Sequence, residues 1–505
     1  MDKNKRNGIL LSYLLIIVDI LISIFIVPFF LKIFGDSEYG LYKLLLSTAS
    51  YFSILDFGLG STITRFVIKY KTENDKDKEE NFVAMSFVLY GVLALILVVS
   101  AIGLSFLLPF IYKASIDSAQ FVQAKIMFLL MCGSTAVSLF NHAYNGLLSA
   151  YEKFVFIKGS NLAKILIRIT LIVIFGILTK SIVVVCTIDF ILNVLLLLAN
   201  VAYNKLRLKI RIKLHFWDKP VAKEMLIFTS AILVQTIINQ FNSNVDNIVL
   251  GVYTTTSVVA SYSIALQIYT MYSTFSSVIA SIYLPSISKD VFANKTKTEI
   301  TEKLIEPSRI QLGLLLMIFV AFLLFGKDFI SIWVGNGKEI IYYLACILLA
   351  SSIIDLSQNT ADSVLKAKNK LKGKTIILAL STLVNVVLTF SLVPVLKEYG
   401  AVIGTSVSLI FGYGLSLNIY YHKTGIIDVG LFFKSVFNRL WIVPILTFSI
   451  FLPFSILFDF TNLVYFLLIC FTYVVVYLIF IFIIGMTKSE KTKLIDAFKR
   501  RRKNE

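Results

Sequence analysis

The chain has 505 residues, of which 57% are hydrophobic and only 15% charged, and 48 Lys and Arg against 30 Asp and Glu give a formal net charge of +18. A mean hydropathy of +0.84 lies far outside what a soluble domain with a wetted surface sustains, so the composition excludes an ordinary globular protein and describes an integral membrane protein. Apolar runs of about 20 residues, the length that crosses a hydrocarbon core of about 30 Å, recur from end to end.

Fourteen helical spans are predicted in chain order: 9–34, 39–66, 82–111, 120–150, 159–179, 181–203, 221–251, 257–288, 308–332, 339–365, 373–394, 400–421, 436–458 and 461–486. The first follows MDKNKR but is too long for a secretory h-region and lacks an A-x-A cleavage site, so it reads as a retained span, with Asp19 inside it. Span 2 carries DFGLGSTITRF at 56–66. A kinase metal-binding DFG is excluded, because the glycine-rich and H-R-D loops that accompany it are missing. One helix over 39–70 would be about 48 Å long, more than a bilayer needs, so a kink or an end is expected at Asp56, Gly58 and Gly60. There the glycines would permit bending or close helix approach, and Asp56 would bond a neighbouring helix or pair with Arg65.

The net charge invites a nucleic-acid reading, but its distribution argues otherwise. With the N-terminus inside, the segments 3–6, 65–78, 153–158, 205–223, 289–309, 366–374, 423–439 and 488–503 hold 38 Lys and Arg, whereas the outer segments hold six: Lys32, Lys113, Lys180, Lys327, Lys338 and Lys397. This is a positive-inside bias with both termini cytosolic, and no nucleic-acid partner is expected. Four cations remain inside spans: Lys43, Lys125, Lys164 and Arg168. A charge at membrane depth costs several kcal/mol unless it meets water or a partner, which makes these the prime functional candidates. Lys43, Lys125 and Lys164 are near enough to span ends to snorkel instead; Arg168 lies deeper, and Asp189 of span 6 is close enough in sequence to neutralise it.

Helical spacing groups the polar residues into five stripes: Asn161, Lys164 and Arg168; Asp189, Asn193 and Asn200; Ser134, Ser138, Asn141 and Asn145; Gln235, Asn239, Asn242 and Asp246; and Asp355, Asn359, Asp362 and Lys366. One stripe alone reads as helix–helix glue, and five together favour an aqueous central cavity.

An internal repeat is also legible. GLLSAYEK at 146–153 and SVLKAKNK at 363–370 stand 217 residues apart, and GLY at 40–42 and ASY at 260–262 stand 220 apart. Spans 1–6 and 7–12 therefore read as parallel repeats. The expected fold is all-α, with two parallel six-helix lobes (1–205 and 221–425) joined by a basic cytosolic linker (206–220). Two further spans (426–486), lacking charge over 440–458 and 460–487, are expected to meet lipid, ahead of a basic cytosolic tail (487–505) that reads as amphipathic or disordered near anionic lipid.

Catalytic chemistry is poorly supplied. His142, His215 and His422 lack metal spacing, and Cys132, Cys186, Cys346 and Cys470 form no C-x-x-C, so no catalytic or metal site is predicted. No G-x-x-x-x-G-K-[ST] loop is present, so no nucleotide cofactor is expected. Energy would come from a proton or sodium gradient, the membrane potential or downstream consumption, with Asp19, Asp189, Asp246, Asp355 and Asp362 as the acids available for coupling.

YGLYKLLLSTASYFSILDFGLGSTITRF at 39–66, NSNVDNIVLG at 242–251, LLSAYEKF at 147–154 and the 6+6+2 arrangement resemble the polysaccharide transporter branch of the multidrug/oligosaccharidyl-lipid/polysaccharide exporter superfamily. The resemblance implies a multi-pass flippase of the bacterial cytoplasmic membrane that moves an undecaprenyl-diphosphate-linked oligosaccharide to the outer leaflet by alternating access, for a surface polymer such as capsule or O-antigen. It also implies neighbours in the same pathway, a polymerase and glycosyltransferases. Such a substrate suits the residues: Lys43, Lys125, Lys164 and Arg168 for the anionic head, and Asn141, Asn145, Gln235, Asn239, Tyr51 and Tyr144 for sugar, while the isoprenoid stays in lipid. Two alternatives stay open. An ion-coupled exporter of small amphiphiles on the same fold would want acids in its cleft. A membrane polymerase or glycosyltransferase would want a long outer loop with paired carboxylates, and no outer loop exceeds about 15 residues.

Overall fold

The computed structural model describes residues 3–493 and Asp496, whose regular secondary structure is all helical, with no strand among them. Among them, eleven helices are long and apolar enough to cross a membrane. The predicted spans outside that set are the second, which is broken, and the seventh and eighth. The chain divides into two compact units, Met1–Ser263 and Ile264–Glu505.

In the first unit α1 (Lys3–Phe34) leads to Gly35, whose φ of 84° supports the tight turn into α2 (Asp36–Ser50). A short 3-10 turn, Tyr51–Asp56, follows, and then α3 (Leu59–Thr72). Span 2 is thus two helices with a break between them. Phe57 and Gly58 both adopt left-handed backbone (φ 48° and 69°), which ends one helix and restarts the next. Asp56 does not reach Arg65. It accepts from the Tyr90 hydroxyl at 2.7 Å and lies 3.4 Å from His142 Nδ1, so it fixes the break to neighbouring helices.

The remaining helices of this unit are α4 (Lys76–Ile111), α5 (Phe121–Ala150), α6 (Phe154–Thr179), α7 (Val183–Tyr203) and α8 (Lys219–Tyr253), with α9 (Thr256–Phe292) passing into the second unit. Gly60 and Gly146 bring α3 and α5 into backbone contact: a Cβ at Gly146 would collide with the Gly60 carbonyl, and Thr64 Oγ1 donates to the Gly146 carbonyl at 2.9 Å. The C-terminal part of α8 is pinned by Asn247, which donates to Ser47 of α2 at 3.0 Å, and by the Ser115 hydroxyl, which donates to the Thr254 carbonyl at 2.7 Å.

The second unit contains α10 (Lys297–Val334), α11 (Glu339–Ser357), the short α12 (Asp362–Ala367), α13 (Leu371–Leu396) and α14 (Glu398–Val407). A π-helical stretch, Ser408–Ser416, continues into α15 (Leu417–Thr424), followed by α16 (Val429–Phe437), α17 (Ile442–Leu457) and α18 (Leu463–Phe480). The last two helices bear exposed apolar residues along their length and lean on α10, where Tyr473 and Tyr477 donate to the carbonyls of Met317 and Gly313.

The described part of the tail has a fixed partner: Arg309 of α10, only 5% exposed, donates to Glu490 at 2.7 Å, to the Gly485 carbonyl at 2.5 Å and to the carbonyls of Ser435, Val436 and Asn438 at 2.9–3.1 Å. By sequence Arg309 reads as one of the loop cations. The rest of the predicted tail falls outside the described residues.

Candidate substrate-binding site

Three of the four cations predicted inside spans gather in the first unit. Lys164 and Arg168, one turn apart on α6, both face α7. There Arg168 Nε donates to Asp189 Oδ1 at 2.5 Å and Nη2 to Oδ2 at 3.0 Å, a bidentate pair with each side chain about one quarter exposed (25% and 26%). Lys164 Nζ donates to Asn193 Oδ1 at 2.6 Å. From α2, Lys43 and Tyr42 complete the set: both are electrostatic neighbours of Arg168, and the Lys43 ammonium stands 5.4 Å from the Tyr39 ring centre. Three cations against one carboxylate leave an excess of two positive charges on these partly open groups, which suits an anion.

Lys125 does not join them. Its ammonium sits 3.6 Å from the centre of Phe106, a ring exposed on α4, where a cation–π contact satisfies it.

The stripes on α5 and α7 turn out to face each other. Asn193 donates to Ser134 at 2.5 Å, Asn141 donates to the Asn193 carbonyl at 3.1 Å, and Asn200 donates to Asn141 at 2.9 Å. Asn141 is buried and committed to this seam, so these amides act as interhelical glue of the kind expected within a membrane. Asn145 is half-buried, and Tyr144 is buried edge-on against Phe87. On α8, Gln235 donates to Asn239 at 3.1 Å, with Asn239 exposed, and Tyr51 packs edge-on against Phe241.

Of the acids, Asp19 is exposed on α1 and Asp246 is buried, accepting from Tyr262 at 2.5 Å. In the second unit both oxygens of Asp362 accept from Lys374 at 2.5 Å, with Asp355 in the same electrostatic neighbourhood. Tyr272 in the same unit is buried and donates to the Leu315 carbonyl.

At the repeat offset expected from the sequence, the charge is one-sided. A step of 217 residues carries Lys164 and Arg168 onto Ser381 and Asn385. Ser381 bonds Ser408 at 2.7 Å, Asn385 accepts from Thr389 at 3.1 Å, and Gly404 and Gly412 let the neighbouring segment approach so closely that a Cβ would strike these side chains. Where the first unit holds an ion pair, the second closes with small and neutral groups. Two grooves of about 440 and 450 Å³ in the second unit flank Arg309, but the cations lining them (Arg309, Lys434, Lys493) are matched in number by Glu302, Glu306 and Glu490, so they lack the spare charge of the α6 cluster.

Tyr42 and Arg309 were missed by sequence. Tyr42 is an uncharged residue in an apolar run beside Lys43, and Arg309 sits at a span end, where a cation reads as a loop residue.

The family model described as polysaccharide biosynthesis protein matches residues 5–291. No curated protein matches in sequence. Among solved structures, the lipid II flippase MurJ in an inward closed conformation superposes with a TM-score of 0.70 at 18% identity, covering 94% of this chain and 98% of that one. An inward-facing multidrug resistance MATE family transporter of the MOP superfamily gives 0.59 at 15% identity, with 82% and 99% covered. The MATE multidrug transporter DinF-BH gives 0.53 at 15% identity, with 84% and 94% covered. With its helices laid out as in those transporters and a family match over more than half its length, the chain belongs to the polysaccharide biosynthesis protein family and has the fold of the MOP superfamily.

Proposed function

We propose that this multi-pass membrane protein is a flippase that carries an undecaprenyl-diphosphate-linked oligosaccharide across the bacterial cytoplasmic membrane for cell-surface polysaccharide synthesis. The observation that carries the reading is the excess positive charge of Lys43, Lys164 and Arg168 inside spans of a chain from this family. Cations held at depth by one carboxylate and amides are costly in an apolar core, and an anionic head group entering the site supplies the missing counter-charge. In this reading the predicted halves 1–205 and 221–425 alternate in exposing the site, both termini are cytosolic, the spans number fourteen, and Asp19, Asp189, Asp246, Asp355 or Asp362 couples the cycle to an ion gradient. A polymerase and glycosyltransferases of the pathway are the expected partners.

The test is deletion of the gene followed by leaflet-resolved detection of lipid-linked repeat units. Trapping on the cytosolic leaflet is expected; normal display of polymer, with no paralogue present, would refute the reading. Export of small amphiphiles is the second reading, favoured by the likeness to MATE transporters. It expects dye efflux from reconstituted vesicles that survives neutralisation of Lys43, Lys164 and Arg168.

A further inference from the structure

Between α7 and α8 the sequence runs KLRLKIRIKLHFW over 205–217. Lys205, Arg207, Lys209, Arg211 and Lys213 occupy every second position, Leu206, Leu208, Ile210, Ile212 and Leu214 fill the positions between, Phe216 and Trp217 close the stretch, and no acid interrupts it. On a helix this alternation would scatter charge around every side. Only an extended chain, in which successive side chains point to opposite faces, sorts it into a cationic face and an apolar one.

Over 210–217 the backbone adopts the sorting form, carrying Arg211 and Lys213, while Lys205 and Arg207 lie on the helical turn before it. The π-helical turn Asn204–Leu208 ends at Lys209, whose φ of 58° breaks the helix, and 210–217 then runs without helix, turn or bend to Asp218, which caps α8. Two buried asparagines of the same unit hold the segment at its ends. Asn204 Nδ2 donates to the Ile210 carbonyl at 3.1 Å, while Asn81 Oδ1 accepts from the amides of His215 and Phe216 at 2.8 and 3.1 Å. The side chains between the clamps are left outside. Ile212, Leu214, Phe216 and Trp217 are 40–55% exposed, and among the described residues none of the five cations forms an ion pair.

We infer that 205–217 is a lipid-surface strap that lies on the bilayer holding the protein, its apolar side chains in the interfacial region and its cations on anionic headgroups. Charge complementarity selects the occupant. Five unpaired cations beside exposed aliphatic and aromatic groups, strung between the ends of two adjoining spans, match a phosphate-bearing surface with hydrocarbon beneath it. A soluble acidic protein would satisfy the cations and leave Phe216 and Trp217 in water.

The test uses full-length protein in which Trp333→Phe and Trp441→Phe leave Trp217 as the sole tryptophan, reconstituted in phosphatidylcholine vesicles with about 30 mol% phosphatidylglycerol. Chain-brominated phosphatidylglycerol is expected to quench Trp217 about twofold more than chain-brominated phosphatidylcholine at equal mole fraction. That preference should fall to parity in about 1 M salt. It should also fall in the Lys205→Gln, Arg207→Gln, Lys209→Gln, Arg211→Gln, Lys213→Gln variant, whose changes are all at exposed sites. The wild-type comparison stands alone if that variant inserts poorly. Water-like Trp217 emission quenched by aqueous iodide and by neither brominated lipid would overturn the inference, as would equal quenching by both lipids at low salt.

Discussion

Arg168 and Asp189 meet across α6 and α7 through two parallel hydrogen bonds, from Nε to Oδ1 and from Nη2 to Oδ2. A bidentate pair of this kind can serve as a strut or as part of a binding surface, and the two roles separate by substitution. Arg168→Met strands the Asp189 carboxylate and should cost about 3 kcal/mol, whereas Arg168→Met with Asp189→Leu should return close to the original stability. If the guanidinium binds substrate, transport and complementation stay lost in the double variant although its thermal midpoint recovers. Recovery of both would leave Arg168 a strut.

The contact between α3 and α5 predicts a contrast between glycines. Gly146→Ala places a methyl group against the Gly60 backbone and should destabilise by about 2 kcal/mol, since neither helix can yield without moving its partners. Gly103→Ala, whose Cβ meets nothing within 4 Å, should be neutral or stabilise by up to about 1 kcal/mol. Thermal unfolding in detergent compares them directly.

Gly58 combines left-handed backbone with a neighbour: a Cβ there would lie 2.5 Å from Ile232 Cγ2. Gly58→Ala therefore carries both a backbone and a steric cost, about 1–3 kcal/mol in all. Adding Ile232→Ala removes the clash and leaves the backbone strain, so partial recovery of the melting temperature is expected. Full recovery would place the whole cost in the clash.

Arg309 and Glu490 make the tail pH-sensitive. Burial of the Glu490 carboxyl opposes its ionisation, and the bonds from Arg309 and from the Thr487 amide outweigh burial, so the group sits below the ordinary glutamate value. A carboxylate depressed in the folded state adds stability that is fully present above its unfolded value of about 4.3 and is lost as pH falls through the folded value. Glu490→Gln should therefore lower the thermal midpoint near neutrality, by about 1–2 kcal/mol, and lose its effect as the wild type is acidified below about pH 4. Arg309→Met should cost more, about 3 kcal/mol, because the carbonyls of Ser435, Val436, Asn438 and Gly485 lose their donor as well.

Hydropathy and charge were enough to read the membrane class, eleven of the helical spans and the position of Lys43, Lys164 and Arg168 within apolar runs, because the cost of placing a residue in oil depends on its own chemistry and on the length of its run. The period-two alternation over 205–217 is equally legible in the sequence. Tertiary structure alone decided which polar residues face one another. Asn141, Asn193 and Asn200 share one helical spacing with Lys164 and Arg168, but the amides close a seam between α5 and α7 while the cations stay partly open. Likewise Asp56 chose Tyr90 and His142 over Arg65, and Arg309 became the hub of the C-terminal helices. Helical periodicity fixes the face on which a side chain stands, and only the rotation of neighbouring helices fixes what that face meets.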